Sequence, residues 1–293
     1  MTRGNDTNPT IPTPLVETAW LVEHLRDPDL RILDCSVVME ATASGYRFLG
    51  GRSQWEQGHI PGSVFVDVIA ELSDQSQALP MMMPSMPVFA ERMAGYGISN
   101  RNNVVLYDRA NHAWAARVLW MLRAAGFESA AVLNGGWSKW TSEQNEIALR
   151  STTYPKGEFV PKLRPGAFAD KQDVLGALHA EEVCLINALS LREHRGEMTN
   201  FARPGRIPSS KNVFCQSLID PNTQTYLPAE ELHKLFAATG AVSAERIIVY
   251  CGAGVAASSD ALAMTLIGLT NVAVYDGSLA EWTADPSLPM ETG

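Results

Sequence analysis

The stretch that decides the fold is R-I-I-V-Y-C-G-A-G-V-A-A-S-S-D-A-L-A, residues 246–263. Its first part, residues 247–250, is a short run of apolar residues with high β-propensity, typical of a strand buried on both faces of a parallel sheet. The run 256–269 is rich in alanine and other apolar residues and is long enough for a packed helix. The pattern therefore predicts a strand, a short loop with two glycines, and a helix.

Cys251 occupies the carboxyl end of this predicted strand. Backbone N–H groups of a loop and the positive end of a helix converge at such a position, and they favour a thiolate over a thiol. Gly252 and Gly254 allow positive φ angles and leave no side chain to block an incoming anion. We therefore predict a nucleophilic cysteine in an anion-binding loop. The alternative is a buried cysteine that acts only as a small apolar residue.

Length and composition limit the possible functions. The chain has 293 residues, of which 46% are hydrophobic and 19% charged, as in ordinary soluble proteins of about two domains. Its net charge of −9 argues against nucleic acid and acidic membranes as partners. The four cysteines have no zinc-ligand spacing and are too few for a disulfide scaffold, which suggests a reduced compartment. Without a signal-like or membrane-spanning apolar run, we expect a cytoplasmic protein.

The two halves of the chain repeat the same order of motifs. Cys251 corresponds in position to Asp108, and Trp282 corresponds to Trp140, with a nearly constant spacing between counterparts. A repeat of this length indicates a duplicated domain. The predicted boundaries are a flexible N-terminus (1–14), a first domain (15–150), a linker rich in Pro and Gly (151–166) and a second domain (167–293).

Strand and helix patterns alternate in each half, which predicts a parallel sheet flanked by helices. Strands are expected at 31–35, 64–67, 104–108, 130–133, 183–187 and 247–251, and helices at 15–25, 88–95, 113–125 and 256–267. Ligands of such sheets bind at the carboxyl ends of strands. Because Asp108 stands where the second half has Cys251 and cannot serve as a sulfur nucleophile, only the second half is expected to be catalytic.

Several motifs in combination resemble those of the tandem rhodanese-domain sulfurtransferases, a group that includes thiosulfate and 3-mercaptopyruvate sulfurtransferases. The resemblance extends over residues 15–290. The motifs are Gly58-His59-Ile60-Pro61-Gly62, Asp108, Gly135-Gly136-Trp137, Cys251-Gly252-Ala253-Gly254-Val255-Ala256, and Tyr275-Asp276-Gly277-Ser278 with Glu281-Trp282. The resemblance implies an α/β fold with two tandem rhodanese-like domains, each a parallel sheet flanked by helices, with the active-site loop in the second.

The resemblance also implies a mechanism and its partners. The Cys251 thiolate would take the outer sulfur of a small donor, thiosulfate or 3-mercaptopyruvate, and hold it as a persulfide. A thiol or cyanide would then accept the sulfur, with thioredoxin as a further candidate acceptor. No metal and no organic cofactor is implied.

The expected substrate-binding residues are the rest of the loop and nearby cations. The loop residues are Gly252, Ala253, Gly254, Val255 and Ala256. The substrate-anchoring arginine of the family falls on Leu189 here, so the expectation passes to Arg192, Arg195, Arg203 and Arg206. His59 and Arg117 are further candidates. Each also has a structural alternative: His59 would satisfy a backbone group, and Arg117 would form an interdomain salt bridge.

Donor choice stays open at this stage. The neutral loop differs from that of thiosulfate-preferring relatives, whereas Ala253 and Ala256 replace hydroxyl residues of mercaptopyruvate-preferring ones. A related phosphatase reaction would need an arginine at the sixth position after the cysteine, and Ala257 stands there. A binding module with two inactive loops is a third alternative, against which Cys251 argues.

Other residues with reactive or ligand-binding side chains are interpreted as structural. Asp276 is expected in a turn or cap, the methionine-rich segment 81–86 in an apolar loop at the domain junction, and Trp137, Trp140 and Trp282 in packing. Cys35, Cys184 and Cys215 lack flanking glycines and are expected to be inert.

Overall fold

A computed structural model describes residues 11–12, 14–42 and 45–293. The predicted flexible N-terminus, 1–14, falls mostly outside the described residues. Among the described residues, no helix is both long enough and apolar enough to cross a membrane.

The predicted α/β fold is confirmed, with one parallel sheet in each half of the chain. The first sheet consists, in chain order, of β1 (Leu15–Val16), β2 (Leu30–Asp34), β5 (Ser63–Phe65), β6 (Asn103–Tyr107) and β7 (Ala130–Leu133). Their spatial order is β1-β7-β6-β2-β5, and every pairing is parallel. All residues of the central strand β6 are buried, which explains its continuous apolar run.

The second sheet repeats this arrangement. Its strands are β8 (Phe168–Ala169), β9 (Val183–Asn187), β10 (Lys211–Asn212), β11 (Arg246–Tyr250) and β12 (Val272–Tyr275), in the spatial order β10-β9-β11-β12-β8 and again all parallel. The central strand β11 is therefore the counterpart of β6. Its carboxyl end is where ligands of such sheets bind.

Helices cover the sheets. Those of the first half are α1 (Thr18–His24), α2 (Arg52–Glu56), α3 (Met86–Gly95), α4 (Ala113–Ala124) and α5 (Gly136–Ser142). Those of the second half are α6 (Lys171–Ala177), α7 (Leu191–His194), α8 (Ala229–Ala237), α9 (Val255–Leu266) and α10 (Ser278–Trp282). The prediction of one helix over 15–25 was wrong at its start, because residues 15–16 pair with β7 as strand β1.

A hairpin that the sequence patterns did not predict projects from the first half. It is formed by β3 (Val37–Thr42) and β4 (Gly45–Gly50), which pair antiparallel. Its residues do not alternate in burial as those of a half-buried sheet would, and Met39 and Tyr46 are more than half exposed. The hairpin is therefore separate from the first sheet. One of its faces is turned toward the second half of the chain.

The two halves share one continuous interface, formed mainly by α4 and α9. Every residue of α4 is buried, and a single hydrophobic core extends through residues of both halves. Arg123 of α4 donates from Nη1 to Oγ1 of Thr265 in α9, at 3.0 Å. Small side chains on α9 let the two helices approach closely.

Two loop segments, one in each half, donate hydrogen bonds across this interface to the other half. The Met83 N–H donates to Oδ2 of Asp276 at 2.8 Å, and the Tyr226 N–H donates to Oδ1 of Asn134 at 2.9 Å. In the repeat, Tyr226 is the counterpart of Met83, and Asp276 is the counterpart of Asn134. The methionine-rich segment therefore lies at the junction of the halves, as predicted, and residues 224–226 are its counterpart.

The predicted linker, residues 151–166, has no helix or strand but is closely attached to the first half. Tyr154 donates from its hydroxyl to the Gly62 carbonyl at 2.9 Å, and the Lys162 N–H donates to the Ala125 carbonyl at 2.7 Å. A Cβ on Gly157 would lie only 2.2 Å from the carbonyl oxygen of Ile98, so glycine is required there by close approach. The segment is an ordered strap along the first half.

Candidate active site

The loop that carries Cys251 is held by one serine hydroxyl. Strand β11 ends at Tyr250 and helix α9 begins at Val255, with Gly254 as its left-handed N-cap at φ 74°. Ser278 Oγ accepts hydrogen bonds from the N–H groups of Cys251 (3.1 Å) and Gly254 (3.2 Å), and it donates to the Tyr275 carbonyl (2.7 Å). Both ends of the loop are thereby fixed to the start of α10.

The first turn of α9 supplies the electrostatics of the loop. The first N–H groups of an α-helix have no acceptor within the helix, and they carry the positive end of its dipole. In α9 these groups belong to Val255, Ala256 and Ala257, directly after the cysteine loop. Side chains as small as these leave the N–H groups accessible to a neighbouring anion, so the loop is suited to bind a sulfur anion on Cys251.

The corresponding loop of the first half shows what such a loop can bind. Asp108 accepts four backbone hydrogen bonds: Oδ1 from Ala110 (2.9 Å) and His112 (3.2 Å), and Oδ2 from Trp114 (3.1 Å) and Ala115 (3.0 Å). The last two donors are the counterparts of residues 256 and 257 in the first turn of α9. A carboxylate therefore fills the anion position of the first loop.

Cys251 lies at one wall of a large cleft between the two halves. The cleft has a volume of about 1390 Å³, and Cys251, Gly252, Ala253, Val255 and Ala256 all line it. We refer to it below as the interdomain cleft. The whole Cys251 residue is only 2% exposed, so the sulfur is approached through the cleft and not from open solvent. The opposite wall comes from the first half, including Trp114 and the hairpin residue Phe48.

Comparison with known proteins agrees with this geometry. The rhodanese-like domain family matches the chain twice, at residues 17–143 and 172–285. The 3-mercaptopyruvate sulfurtransferase of Escherichia coli is 33% identical over 276 residues, which span 93% of this chain and 95% of that protein. The chain belongs to the tandem rhodanese-domain sulfurtransferases.

Two further comparisons show how far this membership extends. The crystal structure of SseA from Escherichia coli superposes with a TM-score of 0.81 at 32% identity, covering 91% of this chain and 98% of that one. The sulfur carrier protein TtuD of Thermus thermophilus is 31% identical over 299 residues, or 96% of this chain and 98% of the relative. Both matches cover both halves of this sulfurtransferase.

The arginines that were expected to anchor the substrate do not line the interdomain cleft. Arg203 donates to four backbone carbonyls, those of Trp282, Thr283, Asp285 and Leu288, at 2.7–3.0 Å. Arg206 pairs with Glu291 at 2.5 Å and donates to the Gly293 carbonyl at 2.7 Å. Both guanidinium groups hold the C-terminal segment, so the structure does not bring these two candidates to the cleft.

Arg192 and Arg195 lie at the surface. Their side chains are 69% and 51% exposed, and each lies 3.9 Å from a carboxylate oxygen of Glu197. Glu193, which lies between them in sequence, lines the cleft, whereas neither arginine does. An arginine near the strand end in sequence is thus not sufficient to place its side chain in the site.

His59 and Arg117 have the structural roles that were the alternatives to substrate binding. The ring of His59 is fully buried and stacks on Trp55, with Nδ1 2.8 Å from the Trp55 carbonyl oxygen and Nε2 3.2 Å from that of Arg150. Arg117 is 1% exposed, and its Nη2 lies 2.6 Å from Oδ1 of Asp276. Neither lines the cleft. Both groups satisfy buried partners, in line with the structural alternatives for these two residues.

Gly254 is likewise not on the cleft wall, although it was expected to contact the substrate. A Cβ built on it would lie 3.0 Å from Arg117 Nη1 and 3.0 Å from Asp276 Oδ1. Arg117 also donates to the Met81 carbonyl at 2.8 Å. The glycine is needed because this buried ion pair lies directly beneath it. Asp276, expected in a turn, thus joins the two halves under the cysteine loop.

Arg109 is the cleft cation that sequence reasoning missed. It lines the cleft, its guanidinium lies 4.1 Å from the ring centre of Trp137, and Nη2 donates to the Gly58 carbonyl and lies 3.6 Å from Oδ2 of Asp34. The signal in the sequence that could have identified Arg109 was its position directly after Asp108. A loop whose first residue cannot react still presents its second residue to the shared cleft.

The other three cysteines differ from Cys251 in their surroundings. Burial raises the pKa of the thiols of Cys35, Cys184 and Cys215. A thiol with a raised pKa is a poor nucleophile at neutral pH. Among the described residues there is also no cluster of three or more His, Cys, Asp or Glu side chains suited to a metal ion.

Proposed function

We propose that this protein transfers sulfane sulfur through a persulfide on Cys251. In the first half-reaction the Cys251 thiolate attacks the outer sulfur of a donor. A new S–S bond forms to Cys251 while the bond between the donor's sulfur and its leaving group breaks, and the leaving group departs with the electron pair. For thiosulfate the leaving group is sulfite. In the second half-reaction an acceptor thiolate or cyanide takes the outer sulfur and restores the Cys251 thiolate.

One observation carries the proposal: the loop of Cys251 keeps free the anion position that Asp108 fills in the first half. Asp108 binds four N–H groups there, two of them at the start of α4. In the second loop the Ser278 hydroxyl takes only the N–H groups of Cys251 and Gly254. The N–H groups of the first turn of α9 thus support the negative charge of a thiolate or persulfide at Cys251.

The relatives suggest the donor and acceptor classes. The Escherichia coli relative is a 3-mercaptopyruvate sulfurtransferase, and the Thermus thermophilus relative is a sulfur carrier protein. We propose a small organic or inorganic sulfane-sulfur donor and a thiol acceptor, with thioredoxin as one candidate. We also propose that the reaction takes place in the cytoplasm, where thiol acceptors are kept reduced.

Mass spectrometry tests the persulfide directly. After incubation with thiosulfate or 3-mercaptopyruvate and removal of the donor, we expect an adduct of about 32 Da, one sulfur atom, on the peptide that contains Cys251. Cyanide should remove the adduct and release thiocyanate in the same molar amount. Steady-state rates with donor and cyanide should give the parallel double-reciprocal lines of a ping-pong mechanism.

Two variants sharpen this test. Cys251→Ser should lose both the adduct and turnover, whereas Cys215→Ser, at a buried thiol, should keep both. If Cys251→Ser still turns over, or if the adduct appears on another cysteine, the assignment of Cys251 is wrong. If no donor forms an adduct on the wild-type protein, the alternative of a binding module without catalysis holds.

A further inference from the structure

The interface between the two halves contains a buried ion pair next to the cysteine loop. Arg117 of α4 is 1% exposed, and its Nη2 lies 2.6 Å from Oδ1 of Asp276. Counted from the start of each helix, Ser259 of α9 is the counterpart of Arg117. Asn134 is the counterpart of Asp276. These counterparts are uncharged, so the ion pair distinguishes the side of the interface that carries Cys251.

The ion pair lies against the last residue of the cysteine loop. A Cβ built on Gly254, the N-cap of α9, would lie 3.0 Å from Nη1 of Arg117 and 3.0 Å from Oδ1 of Asp276. Gly254 directly precedes the first N–H groups of α9, which have no acceptor within the helix. A shift of the ion pair would therefore move the start of the helix whose N–H groups support an anion at the loop.

The ion pair also holds the turn that fixes the loop. Ser278 follows Asp276 by two residues, and its hydroxyl binds the N–H groups at both ends of the cysteine loop. Two groups of the first half hold the Asp276 carboxylate, since Oδ1 pairs with Arg117 and Oδ2 accepts from the Met83 N–H at 2.8 Å. The position of the Ser278 hydroxyl is therefore coupled to the first half.

The contacts of Arg117 are not those of a group that mainly stabilises the fold. Its guanidinium is held by Asp276, by the Met81 carbonyl at 2.8 Å and by the ring of Phe168, whose centre lies 5.1 Å away. Nε and Nη1 have no hydrogen-bond partner among the described residues. A buried donor without an acceptor costs stability, and replacing a buried ion pair by uncharged groups of similar size is often neutral or stabilising. A role in the cysteine loop explains why the charges stand here.

We propose that Arg117 is a positioning residue for Cys251. It holds Gly254 and the turn that leads to Ser278, and it thereby keeps the N–H groups of the loop and of the first turn of α9 in place for the sulfur anion. The first half takes part in sulfur transfer in this way, although its own strand end carries Asp108. The proposal rests on the proposed function of Cys251. Loss of the ion pair should slow the reaction of the sulfur more than it weakens the fold or the binding of the donor.

A neutral double variant tests this role. Arg117→Met together with Asp276→Asn removes both charges, keeps the side chains similar in size and retains an oxygen acceptor for the Met83 N–H. We expect kcat, measured with cyanide and the donor that loads Cys251, to fall about tenfold while KM changes less than about twofold. The rate of Cys251 alkylation by iodoacetamide should fall by a similar factor. The urea midpoint of unfolding should stay within about 0.3 M of the wild-type value, because no buried charge is left unpaired.

Two single variants serve as controls. Arg117→Lys keeps a charge opposite Asp276 and should retain kcat within about threefold of the wild-type value. Arg123→Met removes a second arginine of α4 that crosses the same interface, where its Nη1 donates to Oγ1 of Thr265. Arg123 lies in the last turn of α4, more than one turn beyond Arg117. Its loss should leave kcat and the rate of Cys251 alkylation unchanged.

The outcomes separate the two proposals. If the wild-type protein forms no persulfide on Cys251, the proposed function fails and the role of Arg117 fails with it. If the persulfide forms and the double variant keeps kcat within about twofold, or only its KM rises, the positioning role is wrong and the proposed function stands. If Arg123→Met lowers kcat as much as the double variant does, any weakening of the interface has this effect, and the specific role of Arg117 is wrong.

Discussion

The two strand-to-helix loops, 108–112 and 251–254, have the same scaffold and opposite uses. Each follows the central strand of its sheet, and each ends in a left-handed N-cap, at φ 65° for His112 and 74° for Gly254. The first loop begins with a carboxylate that binds four N–H groups of its own backbone. The second begins with a thiol. An anion is thus built into the first loop, whereas under the proposed function the second loop gains one when Cys251 ionises or holds a persulfide.

The first half nevertheless contributes to the position of the Cys251 loop. Arg117 of α4 reaches across the interface and pairs with Asp276 directly beneath Gly254. Asp276 in turn accepts from the Met83 N–H of the first half. These contacts have a counterpart between Tyr226 and Asn134 in the opposite direction. The interface is therefore nearly symmetric, although the strand ends beside it differ, with Asp108 in the first half and Cys251 in the second.

The largest expected effect comes from removing the internal anion of the first loop. Asp108→Ala leaves four N–H groups without their acceptor, three of them buried, and hydrogen bonds to a charged group contribute about 1.5–3 kcal/mol each. Because these bonds are not additive, we expect the free energy of unfolding to fall by about 4 kcal/mol. Urea denaturation followed by circular dichroism measures it.

Asp108→Asn is the matched control, since its amide keeps one oxygen acceptor at the same place. We expect it to lose about half as much stability as Asp108→Ala. A change below about 1 kcal/mol in Asp108→Ala would mean that water replaces the carboxylate at little cost. The anion position would then not be a structural requirement of the loop.

A second difference between the halves is a buried carboxyl group on α9. Asp260 is fully buried, and neither of its oxygens has a hydrogen-bond partner among the described residues, whereas its counterpart on α4 is the apolar Val118. Asp260→Val copies the first half and removes a polar group that burial penalises. We expect the free energy of unfolding to rise by about 2 kcal/mol at pH 7.

The pH dependence of this gain follows from the shifted pKa. Burial raises the pKa of Asp260 well above its ordinary value of 3.8. Below pH 3.8 the carboxyl is protonated in both the folded and the unfolded chain. As the pH rises from there, the unfolded chain ionises while the folded one keeps its proton, so the wild type loses stability until the pH passes the folded-state pKa. The advantage of Asp260→Val should therefore grow from about pH 4 upward, and a constant advantage would contradict an unpartnered carboxyl.

The comparison also shows which features sequence alone could predict. The repeat, the parallel sheets and the position of Cys251 follow from local patterns that recur in the same order in both halves. The roles of Arg203, Arg206 and Arg117 do not, because their partners are distant in sequence and lie in the C-terminal segment or the other half. The aromatic wall of the cleft was missed for a similar reason, since Phe48 belongs to a hairpin without a clear alternating pattern.

Ser278 was part of a recognised motif, yet its role required the structure. Its counterpart in the first half is Gly136, and both have positive φ angles, 48° and 50°. In the first half Asp108 binds the loop, so no hydroxyl is needed. In the second half Cys251 has no carboxylate for this role, and the Ser278 hydroxyl binds two loop N–H groups in its place.

The smallest expected effect therefore concerns Ser278. Ser278→Gly removes all three hydrogen bonds of the Ser278 hydroxyl but also relieves the left-handed strain of about 1 kcal/mol, so the stability of the folded chain should change little. The loop, however, loses the group that fixes the Cys251 and Gly254 N–H groups, and we expect kcat to fall about tenfold, equivalent to about 1.4 kcal/mol in the activation barrier. Ser278→Ala keeps the strain and should show the same loss of kcat together with a loss of stability of about 1 kcal/mol. If Ser278→Gly instead retains full kcat and an unchanged rate of Cys251 alkylation by iodoacetamide, the cysteine loop is positioned by α9 alone, and the serine is not what distinguishes the active loop from the inactive one.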